Sequence, residues 1–447
     1  MMFVAADDTD SMRGNCTTYL ATEIIFDLIH NCNLNLIGPP RLVRLNPAIP
    51  WKTRGNGSLV MRFGKGRGER TFIGEINGES IYSYEDMEDW EPDKGMILER
   101  IKPLVGKFHD PDYSDPGIVV SETRPSEDLY FLGVRRVVER DIIVRELERI
   151  GALRYELGCG RGIIGCTCGM AWIPKDFTYE LLSYRPPERW GTERIFDRES
   201  VYVADHTIPS SFNSWEDRSG RVAIVPATPC PVMYGFRGDD ISDLIKGHGI
   251  IKTEPQSRWM VFLTNQGTDD HIIYDCPEEE FIPNSSYSVE GIVRKVERIR
   301  GGHTFMTIDS KYGEIVCAAY EPSREFRHAI DWLTPGDRVE VLGELRESPR
   351  SLNIEKLHVL ETVDEYEKVS NPVCPSCGRL MVSVGKGKGY RCRQCRTKSD
   401  SPVLRRNTRW IVPGWYEPPV AARRHLSKPL KRMGEIQPVE FVNCRNQ

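Results

Sequence analysis

The stretch Ala6-Asp7-Asp8-Thr9-Asp10-Ser11 places three carboxylates within four positions, directly after the apolar run Met2-Phe3-Val4-Ala5-Ala6. Carboxylates this close repel one another unless a cation joins them. A hard divalent ion such as Mg2+ prefers such oxygens and keeps positions open for phosphate. Downstream, Leu20, Ala21, Ile24, Ile25 and Leu28 recur at helical spacing, so Thr17 or Thr18 falls near a helix N-terminus. Free backbone N–H groups and partial positive charge there favour anions. Strand, acidic loop and helix start together point to metal-bound nucleotide phosphates. The same residues also fit a solvated acidic turn in which Asp10 or Thr17 is only an N-cap.

Cys374-Pro-Ser-Cys377 and Cys392-Arg-Gln-Cys395 form two CxxC pairs separated by fourteen residues that include Gly385, Gly387 and Gly389. This is the spacing of a structural zinc ribbon, in which four thiolates leave the ion no vacancy for substrate. Lys52-Thr53-Arg54-Gly55-Asn56-Gly57 is a glycine-rich basic loop suited to phosphate, or a turn with exposed charges. No Walker A pattern occurs, so an ATP site here belongs to another class. Gly158, Gly160 and Gly162 with Arg161 give a weak loop-to-helix signal. Cys159, Cys166 and Cys168 lack a fourth ligand nearby and read as apolar filler. Between Ala227 and Asp240, prolines, glycines, an aromatic pair and two acids suit either a small-molecule pocket, with Asp239 and Asp240 toward a cationic amine, or a capped turn. The segment Ala422 to Arg432 reads as a phosphate-contacting arm, against the alternative of a solvated charge run.

These groups need elements to hold them. At 447 residues the chain implies several domains. It has no apolar run of membrane-span length, and its odd number of cysteines, 13, argues for reduced thiols and a cytoplasmic protein. Residues 371–447 hold 16 Lys and Arg against 4 Asp and Glu, a formal +12, leaving −17 for the rest of a chain whose net charge is −5. That asymmetry marks a polyanion-binding end. From Tyr287 to Val363, five alternating strands with a helix between the third and fourth give the order of an OB-fold, with Arg294, Lys295, Arg298, Arg300, His303 and Phe305 on or near its binding face. The N-terminal part is mixed α/β: strands over Leu42–Leu45, Ser58–Phe63, Thr71–Ile76 and Gly117–Ser121, helices near Tyr84–Phe108 and Ser126–Ile150. Strands at Phe177–Tyr184, Val222–Val225 and Trp259–Thr264, with a helix near Asp239–His248, predict a small α+β unit of ferredoxin-like type.

Taken together, these strings resemble the archaeal family of tRNA(Ile) 2-agmatinylcytidine synthetases, TiaS. The resemblance is carried by the acidic start with Cys16-Thr17-Thr18, by Arg44 through Asn56, by Pro229 through Gly238, by the ribbon and by Arg423-Arg424-His425-Leu426-Ser427-Lys428-Pro429-Leu430. It implies a multidomain α+β chain divided into a kinase-like ATP-binding domain (1–165), a ferredoxin-like domain (166–283), an OB-fold (284–365), a zinc ribbon (370–402) and a basic RNA-binding tail (403–447). The implied activity is ATP-dependent attachment of agmatine to C2 of the wobble cytidine of the minor isoleucine tRNA. The cytosine O2 is first phosphorylated, because oxide is a poor leaving group, and the amine then displaces phosphate. By the same resemblance Asp7, Asp8 and Asp10 hold Mg2+ against ATP, and Thr17, with Thr18 next, is a phosphoryl acceptor. Lys52, Thr53, Arg54, Gly55 and Asn56 are assigned to the nucleotide. Cys230, Pro231, Tyr234, Arg237 and Asp239 are assigned to the substrate pocket, and Arg294, Lys295, Arg298, Arg423, Arg424 and Lys428 to RNA. Two rivals stand beside this: a non-catalytic RNA-binding protein of OB-fold and ribbon, and a plain ATP-dependent RNA kinase.

Overall fold

The computed structural model describes residues 1–50, 52 and 55–436. In chain order its first half comprises β1 (Met2–Asp7), α1 (Thr17–Cys32), β2 (Asn35–Ile37), β3 (Arg41–Arg44), β4 (Gly57–Ile76), β5 (Glu79–Glu88), α2 (Lys94–Phe108), β6 (Gly117–Ser121), α3 (Glu127–Arg135), α4 (Arg140–Arg149), β7 (Leu153–Glu156) and α5 (Gly162–Ala171). There follow β8 (Thr178–Tyr184), α6 (Arg198–Thr207), β9 (Trp215–Glu216), β10 (Arg221–Val222), β11 (Val232–Gly238), α7 (Ile241–Ile250), β12 (Arg258–Thr264) and β13 (Ile272–Ile273).

A ten-stranded sheet runs β11-β8-β12-β3-β4-β1-β6-β7, with β2 and β5 paired to each other and to β4. β1 is buried along its whole length, which is why it reads as a continuous apolar run rather than an alternating one. Met2, Val4 and Ala6 pack with α1 and α2 on one face, while Phe3 and Ala5 pack with α3, α4 and α5 on the other. The ferredoxin-like strands do not form a separate sheet: β12 lies parallel to β3, with Leu263 opposite Arg41, and antiparallel to the end of β4, with Arg258 opposite Ile76. One core accordingly contains residues from Met2 to Phe262. α5 runs across position 165, where the sequence had suggested a domain edge, and packs directly on the sheet. A Cβ on Gly162 would lie 2.1 Å from the Gly117 backbone nitrogen, so only glycine permits this approach.

Two local expectations are corrected. Tyr84–Glu88 is strand, paired with Lys65–Arg70 of a single long β4, and the helix begins only after Asp93, whose carboxylate accepts from Met96 N at 2.9 Å. The stretch 126–150 is two helices, because Arg136 turns extended and its Nη1 donates to Tyr287 Oη at 2.6 Å.

The OB-fold consists of β14 (Ser285–Arg298), β15 (Thr304–Ser310), β16 (Gly313–Ala319), α8 (Phe326–Asp331), β17 (Arg338–Arg346) and β18 (Ser351–Glu361). It closes through antiparallel β14–β17 and parallel β16–β18 pairing. The ribbon is an excursion from this barrel. β19 (Tyr366–Ser370) leads out, β20 (Val382–Ser383), β21 (Tyr390–Arg391) and β22 (Lys398–Ser399) form its small sheet, and β23 (Val403–Arg406) returns antiparallel to β19. β24 (Gly414–Tyr416) then adds to β18, and Ile411 and Tyr416 complete the barrel core.

Beyond β24 the described basic tail is a strap, not a free arm. Arg423 pairs with Glu417 at 2.8 Å, Arg424 with Glu344 and Glu355, and Lys428 with Asp176 at 2.8 Å. In α9 (Leu430–Met433), Arg432 holds Asp176 and Asp239, each at 2.8 Å. Cations read in the sequence as a phosphate-contacting arm tie the barrel to the ferredoxin-like region in this structure.

Candidate active site

The chain leaves β1 through Asp8, whose φ of +56° is the left-handed turn an aspartate tolerates. The loop that follows brings Asp10 back over α1. Its Oδ1 accepts from Thr17 N at 2.8 Å and from Thr17 Oγ1 at 3.2 Å, and Thr9 Oγ1 donates to Thr17 Oγ1 at 3.0 Å. Asp10 thus caps the start of α1 and also borders the cavity described next. On the other side α5 presents its N-terminus: Asp7 is seated against Gly165, where a Cβ would fall 1.6 Å from Asp7 Oδ2. Two helix starts therefore converge on the carboxylates, an arrangement that favours phosphate.

Asp7, Asp8, Asp10 and Thr17 line a cavity of about 400 Å³ together with Lys52, Gly55, Asn56, Arg136, Glu139, Arg140, Arg161 and Gly165. Burial, then the charges of Asp8 and Asp10, push the Asp7 carboxyl well above the usual range. Burial raises Asp8 as well, against the Asp115 backbone N–H and the Arg161 charge. Crowded carboxyls that resist ionisation alone are a donor set that fits a hard divalent cation. Arg161 also pairs with Asp115 at 2.9 Å, and Cys159 N and Sγ donate to the same carboxylate at 2.9 and 2.8 Å, which accounts for the 158–162 loop. Cys166 and Cys168 are buried in the α3–α5 core.

A second cavity of about 700 Å³ shares Leu45, Ile49, Lys52, Gly55 and Asn56 with the first and extends between Arg44, Arg346, Arg424 and His425. Burial, then Arg424, lowers Lys52. Behind its wall lies a buried network. Glu180 meets Arg237 at 2.9 Å, Arg44 at 3.7 Å and Gln266 Nε2 at 2.5 Å, and Gln266 Oε1 meets His425 Nδ1 at 3.0 Å. Burial, then Arg44, Arg237 and Lys52, force His425 well below its ordinary value, so it is neutral at pH 7.

The structure gathers Asp7, Asp8, Asp10, Thr17, Lys52, Gly55 and Asn56. Thr53 and Arg54 lie outside the described residues. Thr18 does not border either cavity; its Oγ1 is 3.1 Å from Cys16 Sγ. The five positions expected in a substrate pocket are dispersed and border neither cavity. Cys230 is buried with its carbonyl 2.9 Å from Arg194 Nη2, and the Pro231 carbonyl accepts from Arg185 N at 2.8 Å. Tyr234 Oη meets His248 Nδ1 at 2.5 Å beneath α7, Arg237 is in the Glu180 network, and Asp239 pairs with Arg432. Asp240 caps α7 through Asp243 N at 3.0 Å. On the barrel, Arg294, Lys295 and Arg298 are exposed, each beside an acid: Asp309, Glu297 and Asp331. Gly165, Arg136, Glu139 and Arg140 were missed by the sequence reading. Glycines at 162, 165 and 169, on one face of a helix, were the available signal.

The four ribbon cysteines bring their sulfurs within 4.8 Å of one another, the donor number and chemistry of a structural zinc site. Among the described residues no helix is long and apolar enough to cross a membrane.

Fold and site define a multidomain enzyme class in which an acidic, phosphate-type cavity is coupled to nucleic-acid-binding modules. Family models match as the TiaS TCKD domain (residues 3–159), the TiaS FLD domain (160–271), an OB-fold nucleic acid binding domain (287–360) and the TiaS C-terminal zinc ribbon domain (371–411). The isoleucine-tRNA 2-agmatinylcytidine synthetase TiaS of Archaeoglobus fulgidus is 38% identical over 437 residues, covering 97% of each chain. That of Methanocaldococcus jannaschii is 35% identical over 446 residues, covering 96% of this chain and 98% of its own. Among solved structures, a complex of TiaS with its isoleucine tRNA and ATP superposes with a TM-score of 0.82 at 36% identity, and a complex of TiaS with that tRNA, AMPCPP and agmatine with 0.79 at 33%, each covering 97% of both chains. The chain belongs to the TiaS family.

Proposed function

We propose that this chain is an ATP-dependent C–N ligase that attaches agmatine to C2 of the wobble cytidine of the minor isoleucine tRNA, enabling AUA decoding. The observation that carries the reading is the cavity where three carboxylates face two helix starts, within a chain that matches the family over nearly its full length. ATP is the co-substrate: its phosphoryl group converts the cytosine O2 into a leaving group that the agmatine amine displaces as phosphate. Asp7, Asp8 and Asp10 would hold Mg2+, which when bound neutralises the ATP phosphates. Lys52 and Arg161 add positive charge at the cavity.

Thr17 is the favoured phosphoryl acceptor of the threonine pair, because its hydroxyl donates to the Asp10 carboxylate, a base in place to take the proton. Domain edges near 283, 365 and 402, and a cytoplasmic location, belong to the same reading. The wobble nucleotide must leave its stack to enter the cavity, and the exposed barrel arginines supply the grip for this. Zinc stabilises the ribbon and takes no part in the chemistry.

The test is incubation with ATP, Mg2+, agmatine and a transcript of the minor isoleucine tRNA bearing cytidine at the wobble position, followed by mass analysis of that nucleoside. An agmatine adduct is expected, abolished by Asp8→Asn with tRNA affinity retained. Unmodified cytidine with intact binding would return the RNA-binding rival, and phosphorylated RNA without amine transfer the kinase.

A further inference from the structure

The acidic cavity lies toward one end of α5, and a group of arginines without carboxylate partners lies toward the other. Arg41 on β3 stands opposite Val60 on β4, and Arg62 is two residues further along β4, so the two are diagonal neighbours on one sheet face. Arg62 in turn lies opposite Phe3, four residues before Asp7 on β1. Arg41 is only 6% exposed. Its Nη1 donates to the carbonyl of Trp172, at the C-terminal end of α5, at 2.9 Å, and its guanidinium lies 5.8 Å from the Trp172 ring centroid. Its buried Nε meets no acceptor. Arg62 is half-buried, its guanidinium held against Gly38, and its Nε is likewise buried without an acceptor. Arg124, exposed on the loop after β6, lies near enough for its charge to reach Arg41.

Several other arginines withdrawn from solvent among the described residues are given carboxylates: Arg185 has Glu254 at 2.5 Å, Arg409 has Asp337 at 2.5 Å and Arg423 has Glu417 at 2.8 Å, while half-buried Arg194 has all its donors on carbonyls and Cys230. Among the described residues Arg41, Arg62 and Arg124 have none. Burial, then the charges of Arg62 and Arg124, push Arg41 down to about 9. Positive charge assembled without a counter-charge, open to solvent at Arg124 and partly at Arg62, is the environment an incoming anion stabilises.

We propose that Arg41, Arg62 and Arg124 form a cradle for a backbone phosphate of the bound tRNA, separate from the nucleotide cavity; this rests on the tRNA-modifying reading above. α5 links the two sites. Its ten residues span about 15 Å, so an RNA strand that delivers one nucleotide to the Asp7 end passes within a few nucleotides of the arginines. Arg41 is fixed by the Trp172 carbonyl and ring, Arg62 offers its remaining donors from the sheet, and Arg124 closes on the phosphate from the loop.

The test measures binding of the minor isoleucine tRNA transcript to the full-length wild type and to Arg62→Gln, Arg124→Gln and the double variant over a range of salt concentrations. Zinc content, ATP binding and melting serve as folding controls. These two positions are chosen because Arg41 is needed in the core. Each substitution is expected to weaken binding by about threefold to tenfold and to make the salt dependence shallower by about one unit of slope, with ATP binding unchanged. A double variant equal to a tightly binding wild type in affinity and slope overturns the cradle and leaves the ligase reading intact. Melting with inorganic phosphate separates the remaining case. Stabilisation of the wild type but not the double variant, with tRNA affinity unaffected, assigns a free anion and overturns the RNA assignment. A wild type that binds no tRNA overturns both proposals.

Discussion

Gly165→Ala isolates the seating of Asp7 from everything else in the cavity. A Cβ at position 165 would stand 1.6 Å from Asp7 Oδ2, 2.7 Å from its Cγ and 3.3 Å from its Cβ. Ordinary contact between such atoms needs about 3.5 Å, so the carboxylate must swing away by more than about 1 Å. Lifting α5 off the sheet instead would open the close approach of Gly162 to Gly117 and the packing of Ile163, Cys166 and Cys168. A displacement of about 1 Å at a reacting centre can cost about 100-fold, or close to 2.7 kcal/mol of barrier. Stability moves less: crowding costs about 1–3 kcal/mol and replacing a mid-helix glycine by alanine returns close to 1 kcal/mol. Agmatine transfer should therefore fall by about 100-fold in kcat, with tRNA affinity retained and a melting temperature lowered by a few degrees at most. Gly169→Ala is the control, because its Cβ would meet only the Ser58 side chain at 3.0–3.1 Å and Val60 at 3.2 Å. Turnover by Gly165→Ala within threefold of wild type would refute the seating argument.

Asp7→Asn tests the charge itself. A carboxyl whose folded-state pKa is raised by burial and by Asp8 and Asp10 destabilises the ion-free fold fully above its native value, and that penalty shrinks as pH falls from there to the ordinary 3.8. The variant should melt higher than wild type at pH 7 without divalent ions while losing activity, and added Mg2+ should raise the melting temperature of wild type only; an unchanged or lower melting temperature for the variant counts against the raised pKa. Chelation of zinc should abolish amide protection across residues 371–402 and leave the barrel and large sheet protected, because the ribbon core holds little beyond Cys374, Met381 and Cys392; a global loss of protection would contradict its placement as an excursion. Glu355 carries the opposite sign to Asp7: burial raises it, but Arg424 and His271 outweigh burial and hold it at about 2 against an ordinary 4.5. Its contribution is present above pH 4.5, lost as pH falls from about 4.5 to about 2, and should be largely missing from Arg424→Ala. That variant should cost about 3 kcal/mol at neutral pH by denaturant unfolding, since it leaves buried carboxylates unpaired.

What the sequence makes legible is chemistry set by short spacing. The two CxxC pairs specify a metal site because four thiolates must meet, and β1 with its acids is readable because a buried strand is apolar until the chain turns out of the sheet. The barrel strands alternate, so their number and order, and a helix between the third and fourth, are as expected. The continuity of the sheet was not legible: nothing local in Leu263 or Arg41 says that β12 and β3, more than 200 residues apart, lie side by side. Nor was the strap, since Arg423-Arg424 has the same composition whether it faces water or Glu417, Glu344 and Glu355. The 227–240 stretch was open in sequence between a pocket and a capped turn; in the fold Asp240 caps α7 and Tyr234 meets His248 beneath it, contacts that local spacing alone does not specify.

The strap and Arg136 together explain how a binding module and a chemical site keep a fixed distance. Arg136 borders the acidic cavity and donates to Tyr287 Oη and to the Glu280 carbonyl, at 2.6 and 3.1 Å, at the entrance to the barrel. Arg424 grips Glu344 and Glu355 on the barrel, and the adjacent His425 reaches Gln266 and, through it, Glu180 and its two arginines. The same network backs Arg44, whose side chain lies against Gly55 at the mouth shared by both cavities. Sliding between barrel, strap and cavity wall would break the Arg424 ion pairs on one side and the Arg136 hydrogen bonds on the other. An enzyme that must hold a large RNA while one base is chemically altered needs this rigidity. A grip that drifted by about 1 Å would forfeit at the base what the rest of the RNA interface had secured.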